Sequence, residues 1–143
     1  MTAVSLPRRR VGVLLHPTAL PGSPVCGGFG APARRWIQAL AQHGIGLWQV
    51  LPLSPPDGTG SPYSSPSSFA INPWLLDAHD LADQGFLEPG DLEGLPGALA
   101  DGSLLDFPLA DQRASRLARL LRQRWDQLPR VHHAAFDRWR RDQ

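Results

Sequence analysis

WQVLPLSPPDGTGSPYSSPSSFAINP, residues 48–73, is the stretch that decides the organisation of the chain. It overlaps a short apolar run, residues 47–53, which has the length of a buried strand. Proline and glycine then recur at close intervals, so no helix can continue the run. The sequence therefore predicts a strand over residues 47–53 followed by a long, stiff loop over residues 54–73.

The chemistry of this loop suits a carbohydrate. It carries one tyrosine, Tyr63, among several hydroxyl groups and one amide, Asn72. A pyranose stacks its C–H face on an aromatic ring while its hydroxyls take hydrogen bonds from polar side chains. The alternative is structural: the serines cap turns and Tyr63 fills a gap in the core.

Upstream residues indicate an α/β fold. Residues 11–15 are a continuous apolar run that predicts a buried strand, and residues 31–43 have helical periodicity up to a glycine stop. With the strand at residues 47–53 they form a strand–helix–strand unit. Such a unit implies parallel pairing and a right-handed crossover.

The second half of the chain predicts helices. A helix is expected within residues 72–87, and residues 89–102 read as a linker or a short capped turn. The clearest helix covers residues 109–128, with Asp111 in its first turn, and another covers residues 130–141. The side chains predicted to line the apolar face of the long helix are Ala114, Leu117, Ala118, Leu121, Trp125 and Leu128.

Two blocks of sequence resemble one known family. WQVLPLSPP followed by SPYSSPSSFAINPWLLD, and GVLLHPTALPG upstream, are similar to the start of the 4-α-glucanotransferases, the amylomaltase or disproportionating-enzyme family. The resemblance implies that this α/β chain is the N-terminal part of a (β/α)8 TIM barrel (β1-α1-β2) followed by a helix-rich insertion. Residues 1–73 would hold the first βαβ unit with the substrate loop 54–73, and residues 74–143 a helical subdomain segment. Two strands cannot close a barrel, so a missing C-terminal barrel portion is expected as the chain's partner.

The resemblance also implies an activity and a substrate. The family transfers a segment of an α-1,4-glucan to the 4-position of a glucose or glucan acceptor by a retaining double displacement, in which two carboxyl groups act. The family's DHFRG motif, its Glu before Asp-Leu-Gly and its THDN-type motif have no counterpart among the 143 residues. We therefore expect no catalytic residue in this chain.

Donor-side sugar contacts do carry over. Ser61 and Tyr63 match the family's SPY element and are expected to contact maltooligosaccharides or α-1,4-glucan. Asn72 either meets substrate or anchors the loop, and the turn role is favoured because Asn before Pro is a common turn residue. His16 follows the first strand and either faces the active site or bonds the turn.

Bulk properties exclude several other classes. The formal net charge is +1, which gives no support for nucleic acid as a partner, and no segment has membrane-spanning length. Cys26 is the single cysteine, so no internal disulfide can form and a cytoplasmic location is expected. His132 and His133 diverge on a helix, and no other residues have ligand spacing, so we predict no metal site and no cofactor.

Two alternatives to an enzyme part remain open. One is a catalytically inactive or degenerate glucan-binding protein, because the sugar loop is present without the carboxylates. The weaker one is a basic-helix interaction module that uses Arg113, Arg116, Arg119 and Arg122, although a solvated helix face is the simpler interpretation of this row.

Overall fold

Two short strands form the sheet. A computed structural model describes residues 9–22, 25–96 and 105–142. Strands β1 (Gly12–Leu14) and β2 (Leu47–Gln49) pair in parallel, with Val13 opposite Trp48, and helix α1 (Ala31–Gln42) connects them. The predicted βαβ unit and its parallel pairing are confirmed. The prediction that the strands are buried was wrong, because Leu14 and Leu47 are exposed.

The prediction that β2 extends to Leu53 was wrong. Pairing ends at Gln49, whose carbonyl accepts the last ladder bond, 3.1 Å from the Leu15 nitrogen. Beyond Leu15 the chain turns into a 3-10 helix at Pro17–Ala19, so the residues that follow Gln49 have no strand to pair with. They continue without a regular ladder toward the loop.

A carboxylate, Asp77, sits between the N-termini of two helices. It caps α2 (Ala78–Asp83), because its Oδ1 accepts hydrogen bonds from the backbone nitrogens of His79 at 2.9 Å and Asp80 at 3.1 Å. Its Oδ2 lies against the Cα of Gly30, the N-cap residue of α1, where any side chain would overlap the carboxylate. Since helix N-termini carry partial positive charge, one negative group serves both helices.

The middle of the chain contains shorter helices than predicted. Residues 72–87 hold a 3-10 turn, Pro73–Leu75, before α2 begins, because Asn72 and then Asp77 each start a new cap. The expected linker or capped turn at residues 89–102 begins with helix α3 (Pro89–Leu92). Residues 97–102 of that prediction lie outside the described residues.

Helix α4 (Phe107–Arg124) confirms the long helix with shifted ends and a rotated face. It starts where the Asp106 carboxylate accepts a hydrogen bond from the Leu109 nitrogen at 2.9 Å, so the prediction of Asp111 in the first turn was wrong. Ala118, predicted to be on the apolar face, is exposed, whereas Leu120 is buried. Helix α4 packs on α2, on α3 and on the turn Pro73–Leu75. The apolar spacing in the sequence did not show which face of α4 these elements cover.

The arginine row on α4 is not uniformly solvated as predicted. Arg116, Arg119 and Arg122 are exposed. Arg113 is half-buried, and its Nη1 donates to the carbonyl of Pro96 at 2.6 Å. Burial lowers the pKa of Arg113, although the group remains a cation under all ordinary conditions.

The main apolar cluster lies between α2, α3 and α4. Its buried members are Ala78, Leu87, Leu117 and Leu120, with Leu81, Ala82, Leu92, Leu95 and Leu121 packed against them. This core belongs to the helical half of the chain, and none of the described residues of the two-stranded half is part of it. The helical half therefore has a packed core of its own.

Helix α5 (Arg130–Arg141) confirms the last predicted helix. It has no buried residue. His132 packs on Phe86 at a ring distance of 4.3 Å, whereas His133 lies 4.6 Å from the Trp125 ring, so the two histidines face different neighbours. Over the described part of the chain, we find no helix with the length and hydropathy that a bilayer crossing needs.

Candidate functional site: the loop after the second strand

The loop after β2 is closed at its base. The Asn72 nitrogen donates to the Leu53 carbonyl at 3.0 Å, which joins the two ends of the loop. Asn72 is 3% exposed, and its Oδ1 accepts from the Trp74 nitrogen at 3.0 Å, capping the turn Pro73–Leu75. In this structure Asn72 holds the loop, which is the role favoured from the sequence. Whether it also meets sugar stays a prediction.

Side-chain oxygens fix the turns within the loop. Asp57 Oδ1 accepts from the nitrogen and the hydroxyl of Thr59 at 2.9 and 2.5 Å. The pKa of Asp57 is lowered mainly by the hydrogen bond from the Thr59 hydroxyl and, second, by the hydrogen bond from the Thr59 backbone N–H. Ser61 Oγ accepts from the Tyr63 nitrogen at 3.3 Å, and Ser67 Oγ accepts from the Ala70 nitrogen at 3.2 Å. The serines therefore do cap turns, as the structural alternative held, and this leaves the backbone with few free conformations.

Tyr63 does not fill a gap in the core. Its side chain is 73% exposed, so that half of the structural alternative was wrong. Phe69 and Ile71 are exposed as well, at 99% and 77%. The loop thus presents large apolar groups to solvent from a hydrogen-bonded frame, which is the arrangement that a sugar-stacking ring requires.

His16 bonds the turn, one of the two roles considered from the sequence, and its active-site role stays a prediction. It caps the 3-10 helix after β1: Nδ1 accepts from Thr18, whose hydroxyl oxygen is 2.8 Å away, and Nε2 then carries the proton donated to the Pro52 carbonyl at 3.3 Å. Burial lowers the pKa of His16, an effect that the bond to Pro52 opposes. The neutral ring therefore bonds the turn, and it also lines a cavity under the loop.

That cavity brings two of the predicted site residues together. It has a volume of about 170 Å³, and His16 and Asn72 both line it. Pro62 lines it too, so the turn that carries Ser61 and Tyr63 forms part of the cavity wall. No three His, Cys, Asp or Glu side chains of the described residues cluster as metal ligands.

Two aromatic residues at the base of the loop were missed from the sequence. Trp74 and Phe107 stack with ring centroids 5.5 Å apart and an interplanar angle of 19°. Both line the cavity, and the Trp74 indole N–H donates to Asp111 Oδ1 at 2.7 Å. Trp74 lies within residues 72–87, where a helix was predicted, and Phe107 lies just before the predicted start of the long helix. Their separation in sequence gave no signal of the contact.

Two acidic residues on the helices, Asp80 and Asp91, are bound to arginines. Asp80 pairs with Arg34 through two hydrogen bonds of 2.6 and 2.7 Å, and Asp91 pairs with Arg124. These hydrogen bonds are the first cause that lowers the pKa of each carboxyl group. Two ionised, arginine-bound carboxylates on helix surfaces do not form an acid–nucleophile pair.

The cysteine is partly buried, as expected for a small apolar group. The Cys26 sulfur lies 3.8 Å from the Trp74 carbonyl. Burial raises the pKa of the Cys26 thiol to about 11, which keeps the thiol protonated at neutral pH.

Comparison with known proteins places the chain in a family. The family model described as 4-alpha-glucanotransferase matches residues 15–143. The 4-alpha-glucanotransferase of Synechocystis sp. is 44% identical over 91 residues, which are 64% of this chain and 18% of that protein. The 4-alpha-glucanotransferase of Thermus thermophilus is 44% identical over 97 residues, 68% of this chain and 19% of that protein. The chain thus spans about a fifth of the length of these relatives.

A solved structure agrees with the sequence matches. The amylomaltase from Streptococcus agalactiae in complex with acarbose superposes with a TM-score of 0.81 and 27% identity, over 94% of this chain and 27% of that chain. Since the family match covers residues 15–143 and the fold agrees, the chain belongs to the 4-alpha-glucanotransferase family.

Proposed function

We propose that this chain supplies the donor-side sugar contacts of a 4-α-glucanotransferase, which moves a segment of an α-1,4-glucan onto a glucose or glucan acceptor. The βαβ unit acts as the first part of a (β/α)8 barrel, and the remaining barrel elements bring the catalytic carboxylates. The observation that carries the proposal is the exposure of Tyr63, at 73%, on a loop whose turns and ends are hydrogen-bonded.

Preorganisation is the physical reason. A loop that is already ordered loses little conformational entropy when a glucan binds, so more of the contact energy appears as affinity and orientation. Tyr63 offers an aromatic face, and the Ser61 hydroxyl, which accepts a weak 3.3 Å bond, retains its own proton to donate to a sugar oxygen. Maltooligosaccharides are the expected ligands, because the acarbose complex belongs to a protein of the same family.

A chimera tests the proposal. The 143-residue chain replaces the corresponding N-terminal segment of the Thermus thermophilus relative, and disproportionation of maltotriose is measured. Tyr63→Ala is expected to lower kcat/KM by at least about tenfold, because an interaction that serves the transition state is lost. Tyr63→Phe is the matched control and is expected to lose less, since the ring remains. Unchanged turnover of Tyr63→Ala would remove Tyr63 from the site.

A glucan-binding protein without catalysis is the second candidate. The sequence favours it in one respect, because the loop is present and the catalytic motifs are absent. Titration of the 143-residue chain with maltoheptaose by calorimetry decides the matter. A saturable heat that Tyr63→Ala abolishes supports this candidate, whereas no heat from a chain that functions in the chimera excludes it.

The cytoplasmic location stays a prediction. It is based on the single cysteine, and two relatives, from Solanum tuberosum and Arabidopsis thaliana, are named as chloroplastic or amyloplastic proteins.

A further inference from the structure

The loop after β2 contacts helix α4 at Gly60. Gly60, immediately before Ser61, has φ +73°, a conformation that favours glycine. A methyl group built on Gly60 would overlap the tip of the Phe107 ring, 2.8 Å from Cε1 and closer still to Cζ. The ring is therefore in direct contact with the backbone of the turn that carries Ser61 and Tyr63.

The Phe107 ring is itself held in place. Its face stacks on Trp74, whose indole donates to Asp111 on the next turn of α4. The Trp74 backbone nitrogen is bonded to Asn72, the residue that closes the loop. Phe107 is the first residue of α4, and the cap by Asp106 fixes where that helix begins. The ring thus joins the helical core to the loop at both the turn and the base.

We infer that Phe107 is a positioning residue: its ring sets the position of Gly60, and through it the Ser61–Tyr63 turn that meets the donor sugar. This inference rests on the proposed function. It adds a residue from the helical half of the chain, 44 positions beyond Tyr63, to the determinants of the site. The contact between the ring edge and the Gly60 Cα fixes the spacing of loop and helix, because neither group can move closer without a backbone shift.

The contact between Gly60 and Phe107 can be tested by substitutions that add or remove volume on either side. Gly60→Ala places a methyl group where the ring stands, and Phe107→Leu removes the ring tip, so the double variant regains space for the methyl group. Phe107→Tyr adds an oxygen at Cζ, directly toward Gly60, and is expected to displace the turn despite its similarity. Gly44→Ala is the matched control, since Gly44 has φ +71° but nothing within 4 Å of an added methyl group. It reports the backbone strain alone.

The first measurement uses the full chain and does not depend on activity. Chymotrypsin cleaves after Tyr63 only when the surrounding loop opens, and mass spectrometry identifies that cut. Trypsin cannot report on the loop, because no Lys or Arg lies between Arg35 and Arg113. At equal global stability, cleavage after Tyr63 is expected to be at least about fivefold faster in Gly60→Ala and in Phe107→Tyr than in Gly44→Ala. In the double variant Gly60→Ala/Phe107→Leu, cleavage is expected to slow again.

The second measurement uses the chimera described above. Gly60→Ala is expected to lower kcat about 10- to 100-fold below Gly44→Ala with a smaller change in KM, because misplacement of a sugar contact by about 1 Å has this scale of effect. Phe107→Leu in the same chain is expected to restore at least about threefold. Unchanged turnover of Tyr63→Ala would reject the proposed function. The cleavage assay would then still report on the contact between Phe107 and Gly60. If turnover depends on Tyr63 but Gly60→Ala matches Gly44→Ala in both cleavage rate and turnover, the inference about Phe107 is overturned and the proposed function stands.

Discussion

Asn72 allows the role of one side chain in loop closure to be measured. Asn72→Ala removes the Oδ1 that accepts from the Trp74 nitrogen at 3.0 Å. Loss of an N-cap side chain costs about 1 kcal/mol, and the half-buried N–H left without its partner raises the total to about 1–2 kcal/mol. For a chain of this size we expect the Tm to fall by roughly 2 to 8 °C.

Asn72→Ser separates capping from other effects. Serine keeps an acceptor at the cap position and ranks with asparagine there, so it is expected to cost at most about half as much as alanine. Urea denaturation of the full chain, followed by tryptophan fluorescence, gives the free energies of unfolding. Equal losses in Asn72→Ala and Asn72→Ser, or a loss below about 0.3 kcal/mol in Asn72→Ala, would refute the capping argument. If Asn72→Ser keeps its stability but loses activity in the chimera, Asn72 also contacts sugar.

Two further predictions concern titratable groups. Burial lowers the pKa of His16 below its usual 6.5, so as pH falls the imidazole is protonated in the unfolded chain before it is in the folded chain. The contribution of His16 to the free energy of unfolding is therefore fully present above about pH 6.5 and is lost as pH falls below it. His16→Asn keeps a cap acceptor and is expected to flatten that part of the pH dependence in urea titrations between pH 8 and 5, and an unchanged slope would contradict this. For Cys26, a pKa of about 11 instead of 9.0 makes the thiolate about 100-fold scarcer at pH 8. Because a thiolate of higher pKa is also the better nucleophile, a disulfide reagent should react about tenfold more slowly with the native chain than in urea. Equal rates would show that the thiol is not buried.

Local signals explain what the sequence predicted correctly. Helix α1 ends just before the glycine that predicted its stop, and α5 begins after Pro129 as predicted. The strand–helix–strand order required the parallel pair. The stiffness of the loop after β2 followed from its proline, glycine and serine content. These features depend on residues close together in the chain, and such features can be read without knowing the fold.

Distant contacts explain what the sequence could not show. A continuous apolar run does not reveal that β2 loses its partner after Gln49, because that depends on where β1 turns away. The buried face of α4 includes Leu120 and not Ala118 because of the elements packed on it. The stack of Trp74 on Phe107 and the contact of Phe107 with Gly60 join segments 33 and 47 residues apart, and neither pair has a local pattern.

Asp77 has a consequence for any attempt to divide the chain. Its carboxylate neutralises the positive end of α2 and lies at Gly30, where α1 begins without a side-chain cap of its own. A polypeptide cut after Pro73 would leave the first turn of α1 without this counter-charge. The two halves are thus electrostatically interdependent, and an isolated βαβ piece should be less helical than the same residues are in the intact chain.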